Sequence, residues 1–319
     1  MTKRDFFTID IPAGDSQAME LATRFFKELG YTELAQQPMV QFIFSKPETQ
    51  PVTTVVNPTP VPVVKARKTI PEGKGIFVWV LKDVVKGDLG RWIAEVQAAK
   101  FDWVALKICE ADKPFGNTED QALTAKAVSA LRSVGVQVGG WHYVYGTSPE
   151  AEAAVAVKVT RDLDLDFYAI DAEKEYKQVG RAKAAQIYID LLASGLSPAH
   201  GIGLCSYRYP RFHQELPWKE LLSRCDFHMP QVYFEGSHNP AFQLGRSVAE
   251  LSALKAMPVI PIGSAYGTAT WKPTVDDLKQ FAQTAKSIEL CRGYGWWAWH
   301  SAYPVREWWD EIKAQAWKA

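Results

Sequence analysis

Two carboxylates spaced two residues apart give the clearest chemical signal in this chain. Asp171 and Glu173 directly follow the mostly apolar residues 165–170. If that run is a strand, both side chains project to one face at its end. Repulsion between close carboxylates pushes their pKa values apart, as acid catalysis with an ionised partner requires. We expect Glu173, nearer the strand tip and longer, to be a general acid and Asp171 to orient or stabilise; a solvated loop start is the alternative.

The pattern of apolar runs predicts the fold that would position this pair. From Gly75 onward, eight short apolar runs alternate with amphipathic helical patterns, and the number and size of these repeats match a (β/α)8 barrel of the α/β class. A doubly wound sheet is the competing fold, but no glycine-rich phosphate fingerprint follows the first strand. In a barrel, the carboxyl ends of all strands meet around one pocket.

Polar and aromatic residues occur at the other predicted strand ends. Indoles can stack on sugar rings, amide and phenol groups can bind hydroxyl or acetamide groups, and a carboxylic acid can protonate a glycosidic oxygen. These residue types therefore predict a carbohydrate site, although the tryptophans could equally be barrel packing. The candidate substrate-binding residues are Lys107, Glu110, His142, Tyr143, Tyr207, Gln231, Tyr233, Trp297 and Trp299.

Metal chemistry is not expected from this sequence. His142, His228 and His300 fit no particular ligand spacing, and hydrogen-bonded structural roles are the simpler interpretation. Cys109, Cys205, Cys225 and Cys291 lie far apart and form no CxxC pair, which indicates buried free thiols of a reducing compartment. We expect no cofactor.

The order of these motifs resembles the family 25 glycoside hydrolases, the Chalaropsis-type lysozymes that cleave peptidoglycan between N-acetylmuramic acid and N-acetylglucosamine. The resemblance covers residues 75–300 and rests on FDWVALKICE at 101–110, GVQVGGWHY at 135–143, IDAE at 170–173, MPQVY at 229–233 and WAWH at 297–300. It implies a barrel glycosidase in which Glu173 is the proton donor.

The sequence departs from that family at two strand ends. The first strand lacks the family's catalytic Asp, since Asp83 comes several residues later, and residues 299–303 at the end of the last strand include no carboxylate. Gln231 and Tyr233 also resemble groups of the family 18 chitinases that position the substrate's own N-acetyl oxygen as nucleophile. We therefore expect a diverged barrel that uses substrate assistance; Asp83, Asp112, Glu175 and Glu235 are candidates for a further carboxylate.

Composition divides the chain into three parts. Residues 1–46 are predicted to form a small βαβ-like module, with strands at 6–11 and 39–44 and a helix between them. Residues 47–72 are a Pro, Val and Thr-rich linker, which favours extended conformations, and residues 73–319 form the barrel. Because the first module has little core of its own, we expect it to dock on the barrel, on a copy of itself, on another protein or on a cell wall.

Charge and hydropathy limit the partners of the protein. Lys plus Arg and Asp plus Glu both total 36 among 319 residues, so no net field attracts nucleic acid or an anionic membrane. We predict no signal peptide and no transmembrane helix, hence synthesis in the cytoplasm and release by lysis or carriage in a virion.

Three functions fit these observations. The first is an endo-acting muramidase or related glycosidase, such as a phage lysin. The second is a catalytically inactive glycan-binding or structural barrel, favoured by the missing first-strand Asp. The third is a glycosidase for another polysaccharide.

Overall fold

The computed structural model describes residues 7–10, 32–37, 41–45, 70–197 and 199–317. The chain divides into two units between Val64 and Lys65, and each unit is described by itself. None of the helices within the described residues is long and apolar enough to cross a membrane.

The first unit contains a three-stranded antiparallel sheet with strands Phe7–Asp10, Thr32–Gln37 and Gln41–Ser45, the last in the middle. Its first and last strands are those predicted, but their antiparallel pairing differs from a βαβ-like arrangement. The strand Thr32–Gln37 was not predicted, because its sequence TELAQQ lacks the β-branched and aromatic residues that favour strands. The predicted helix lies outside the described residues.

The second unit is a closed, eight-stranded parallel barrel, which confirms the predicted (β/α)8 fold. Each strand pairs in parallel with the next, and the first strand also pairs with the last. A two-residue strand, Lys113–Pro114, folds back on the end of the second strand. The barrel strands are β1 Gly73–Val78, β2 Trp103–Glu110, β3 Gln137–Val144, β4 Phe167–Ala172, β5 Gly201–Tyr207, β6 Phe227–Val232, β7 Ile262–Ser264 and β8 Gly293–Trp297.

Helices surround the barrel and cover the outward-facing side chains of its strands. Two of them begin at capping boxes, Asn117 with Asp120 and Thr274 with Asp277, which satisfy free backbone donors. The helices are α1 Leu81–Val85, α2 Leu89–Ala98, α3 Thr118–Ser133, α4 Pro149–Asp162, α5 Arg181–Gly195, α6 Trp218–Leu222, α7 Pro240–Leu254, α8 Val275–Ser287, α9 Trp299–Ala302 and α10 Arg306–Ala314.

Large aromatic side chains and glycines alternate around the bottom of the barrel interior. A Cβ added to the glycine would lie 1.9 to 2.1 Å from the facing ring in each case, so only glycine leaves room for it. The pairs are Trp103 with Gly75, Phe167 with Gly139 and Phe227 with Gly203. Every second strand thus contributes the large side chains of one interior layer, as in other parallel barrels. Because these side chains fill the interior, a pocket can form only at the upper strand ends.

Candidate active site

Asp171 and Glu173 lie at the upper end of β4 and face the same amide group. Gln231 of β6 donates through Nε2 to Asp171 Oδ1 and to Glu173 Oε1, both at 2.9 Å. Asp171 is 5% exposed, whereas Glu173 is half-buried. The two carboxyl groups and the Gln231 amide predicted for the site therefore do come together, and Glu173 is the carboxyl group that reaches further toward solvent.

Burial is the main influence on the pKa of Asp171. Desolvation raises the pKa of its carboxyl group well above the usual value, the charge of Glu173 raises it further, and the charge of Lys107 opposes both. The residue pattern predicted Glu173 as the acid and Asp171 as its ionised partner, which orients or stabilises. A raised pKa is thus found at Asp171, the carboxyl group that was expected to remain ionised.

Lys107 and Glu110 form an ion pair at the end of β2. Lys107 Nζ donates to Glu110 Oε2 at 2.8 Å, and Tyr145 OH donates to Glu110 Oε1 at 3.1 Å. The hydrogen bond from Lys107 is the main reason why the pKa of Glu110 is lowered. The Lys107 ammonium lies 5.0 Å from the ring of Trp141 and 4.5 Å from that of Phe115, where cation–π attraction adds to the ion pair.

Tyr143 on β3 and Tyr207 on β5 lie on either side of Asp171 and Glu173. Tyr143 OH donates to Glu175 Oε2 at 2.8 Å, and Glu175 belongs to the short 3-10 turn Lys174–Lys177 that follows β4. Burial, with the charges of Glu173 and Glu175, raises the pKa of Tyr207 to about 12. Glu175 is therefore a third carboxylate of the site, supplied by a loop.

Tryptophan and tyrosine rings also line the barrel mouth, around Trp297 of β8. The ring of Trp297, at the end of β8, lies 6.5 Å from Tyr233, 6.3 Å from Trp79 and 5.4 Å from Trp141. Trp79 is 45% exposed and was not among the predicted site residues. Strand alternation could have found it, because Phe77 faces the barrel interior and Trp79 follows two residues later.

Two predicted site residues lie elsewhere. His142 is fully buried on the outer face of β3, where its ring nitrogens contact Tyr168 OH at 2.6 Å and Ala111 O at 2.7 Å. Its neighbour Tyr143 faces the mouth, so alternation places His142 against the helices. Trp299 begins α9 and packs on Trp92 and other outer-layer rings, because β8 ends at Trp297 and the expected alternation stops there.

The histidines and cysteines have structural surroundings. Burial lowers the pKa of His142 to about 4, so its ring is neutral at physiological pH. All four cysteines are buried and unpaired, as predicted, and burial raises the pKa of Cys205, which lies beneath Gln231. Across the described residues, no group of three or more His, Cys, Asp or Glu side chains could hold a metal ion.

The sequence matches no protein-family model and no curated protein. Solved structures share the fold at low identity, and those described next are barrel glycoside hydrolases. A chitinase catalytic domain from Pyrococcus furiosus is 13% identical, covers 73% of this chain and 86% of its own, and has a TM-score of 0.54. A family 18 N-acetylglucosaminidase from Paenibacillus barengoltzii is 9% identical. The match covers 76% of this chain and 99% of the N-acetylglucosaminidase, with a TM-score of 0.55.

The spore cortex-lytic enzyme SleL from Bacillus cereus is also similar. It is 10% identical, the match covers 96% of this chain and 97% of SleL, and the TM-score is 0.53. At such identities the similarity concerns the fold, and it does not single out family 25 among the glycoside hydrolases.

Proposed function

We propose that this protein is a glycoside hydrolase that cleaves a β-linked N-acetylhexosamine polymer, namely peptidoglycan, in the manner of a muramidase. The observation that carries the proposal is the pair Asp171 and Glu173 held by Gln231 at the mouth of a barrel, opposite an indole. The similar folds of a chitinase, an N-acetylglucosaminidase and a cortex-lytic enzyme support this substrate class.

In this proposal Glu173 is the general acid that protonates the glycosidic oxygen. It is half-buried and extends beyond β4, so it can reach a bound sugar. Asp171 lies beside it and holds the substrate acetamide, while Gln231 donates hydrogen bonds to both carboxyl groups and fixes their spacing. Trp297 provides the ring on which the sugar stacks, with Tyr143, Tyr207, Tyr233, Lys107 and Glu110 around it.

The nucleophile in this proposal is the acetamide oxygen of the substrate. Asp171 and Glu173 both bond to one nitrogen, at 2.9 Å each, and therefore lie on one side of the pocket. Two-carboxylate mechanisms need the groups to flank the scissile bond. We expect N-acetylglucosamine oligomers to be cleaved with retained anomeric configuration and their de-N-acetylated counterparts to remain intact; inverted products, seen by proton NMR, would contradict the proposal.

Clearing of peptidoglycan suspensions tests the catalytic role. Glu173→Gln keeps the shape of the side chain and should lower the rate at least about 100-fold, the usual loss when a general acid is removed. Glu119→Gln, on the exposed first turn of α3, is the matched control and should clear like wild type. Mass analysis of the products identifies the bond.

The alternative is a catalytically inactive glycan-binding barrel. It is favoured by the end of β1, where Trp79 stands and the family 25 resemblance calls for an Asp. If wild type binds peptidoglycan but clears no wall preparation, the alternative is the better description. Cleavage of another polysaccharide alone would place the protein with a different class of glycosidase.

We also propose that residues 1–46 dock the enzyme on a cell wall or a protein partner, in keeping with a phage lysin or a virion-associated enzyme released by lysis. Binding of the full chain to purified walls, compared with a chain lacking residues 1–46, tests this role. Equal binding by both chains would contradict wall docking.

A further inference from the structure

Five aromatic rings form a continuous row from the barrel mouth to the protein surface. This aromatic row consists of Trp79, Trp297, Tyr233, Tyr266 and Trp271. Neighbouring ring centroids are 6.3, 6.5, 5.6 and 6.3 Å apart along it. Trp79 is exposed and the other four residues are half-buried, so each member of the row has part of its surface accessible to solvent. Tyr233, the middle member of the row, is close to the carboxyl groups of the site: burial, together with the charges of Asp171 and Glu173, raises the pKa of its hydroxyl group.

Trp271, at the outer end of the row, is held in place by its own loop. Its Nε1 donates to Ser237 O at 3.1 Å, and its backbone exchanges hydrogen bonds with Thr268 at 2.7 and 3.2 Å. One side of the indole packs against Phe234 and His238. A ring fixed in this way can bind a ligand without a large loss of side-chain entropy.

The surface around Trp271 has the lining of a sugar site. A cavity of about 600 Å³ opens beside the indole, within the size range of ligand sites. Hydroxyl, ammonium and carboxylate groups line it, from Thr268, Thr270, Lys272 and Glu307. Packing explains the buried side of the indole, but it does not require a cavity lined by polar groups beside the rest of the ring.

We propose that Tyr266 and Trp271 form a distal subsite for the same N-acetylhexosamine glycan, several sugars away from the bond that Glu173 cleaves. The chain would stack on Trp297, pass Tyr233 and reach the cavity at Trp271. The identity of the ligand rests on the proposed function, but binding itself does not require hydrolysis. A distal subsite makes the protein a binder of extended chains.

Chain-length dependence of binding tests the subsite. N-acetylglucosamine oligomers of two to six units are titrated into Glu173→Gln protein by calorimetry, so that nothing is cleaved. Affinity should rise with length. Adding Trp271→Ala should weaken hexamer binding about tenfold, the upper range for one ring contact, and leave dimer binding unchanged. Trp271→Phe should keep most of the length dependence, because it retains a stacking face.

Controls separate a subsite from a loss of structure. Phe242→Ala removes an aromatic side chain that is 66% exposed and lies outside the aromatic row, and it should not change binding. Equal losses for dimer and hexamer, an unchanged hexamer affinity, or no binding of any oligomer would each overturn the subsite. If wild type cleaves nothing but Trp271 still governs hexamer binding, the subsite stands and the proposed hydrolysis fails.

Discussion

Asp171→Asn should make the barrel more stable at neutral pH while it abolishes activity. Asp171 is 5% exposed, and burial and the charge of Glu173 raise the pKa of its carboxyl group. An asparagine has nearly the same shape, and its side-chain oxygen can still accept the hydrogen bond from Gln231. The substitution therefore removes the cost of ionising a buried group, as expected where function and stability compete.

The sign of the pH dependence follows from proton binding. Because the pKa of Asp171 is higher in the folded state, folded protein binds more protons than unfolded protein between the ordinary carboxyl pKa, about 4, and the raised value. Wild type therefore loses stability as pH rises through this window, by at most about 1.4 kcal/mol per pH unit for one proton. Below the window, wild type and Asp171→Asn should be equally stable.

Denaturant unfolding at fixed ionic strength between pH 4 and pH 9 measures the effect. All 12 tryptophans lie at position 79 or beyond, so their fluorescence reports the barrel. Subtracting the unfolding free energies of the two proteins at each pH cancels the contributions of all other titrating groups. Asp310 is an exposed carboxylate of α10, and Asp310→Asn therefore controls for the removal of an aspartate as such. Parallel stability curves for wild type and Asp171→Asn would refute the reasoning.

Three further predictions concern other parts of the barrel. Gln231→Leu leaves both carboxyl groups without their donor and should lower kcat about 100-fold in the clearing assay, with an unchanged fold by circular dichroism; near-wild-type kcat would contradict it. Trp103→Ala should cost about 3–5 kcal/mol in denaturant unfolding, because the glycines facing Trp103 offer nothing to fill the cavity; a loss below about 1 kcal/mol would exclude this role. Burial lowers the pKa of Lys74 from 10.5 to about 7, so between these pH values the unfolded protein binds one more proton than the folded protein. The unfolding free energy of wild type should therefore rise with pH in this range relative to that of Lys74→Met. A difference between the two proteins that does not change with pH would refute the assignment.

The fold was predictable because the strands and the helices of a parallel barrel have different sequence patterns. Strands buried on both faces appear as short apolar runs, and helices with one buried face repeat every three to four residues. The same alternation correctly placed Asp171 and Glu173 on one face. It also shows that His142 and Tyr143, which are adjacent, cannot both face the mouth, a consequence that residue chemistry alone does not reveal.

Other site features depend on where elements end, and sequence periodicity does not fix that. Trp299 was expected beside Trp297, but β8 stops at Trp297 and α9 begins at Trp299. Glu175 and Tyr145 belong to loops after β4 and β3, whose path is set by tertiary contacts. Glu152, for example, accepts backbone hydrogen bonds from Tyr145 and the three residues after it.

The missing first-strand carboxylate defines the chemistry of this site more than any residue that is present. In the described part of the chain, β8 ends in Trp297 and β1 is followed by Trp79, both on the side of the mouth that faces β4. Glu175 lies on the same side as Glu173, since it follows β4 and bonds to Tyr143. Among the described residues, neither of these two strand ends therefore offers a carboxylate opposite Glu173; Glu110 lies at the end of the neighbouring strand β2, and Glu235 accepts a hydrogen bond from Tyr266. An acid without an opposing base can still cleave a glycoside if the sugar carries its own nucleophile, and an acetamide is such a group. The lack of a carboxylate at the ends of β8 and β1 thus agrees with the proposed N-acetylhexosamine substrates.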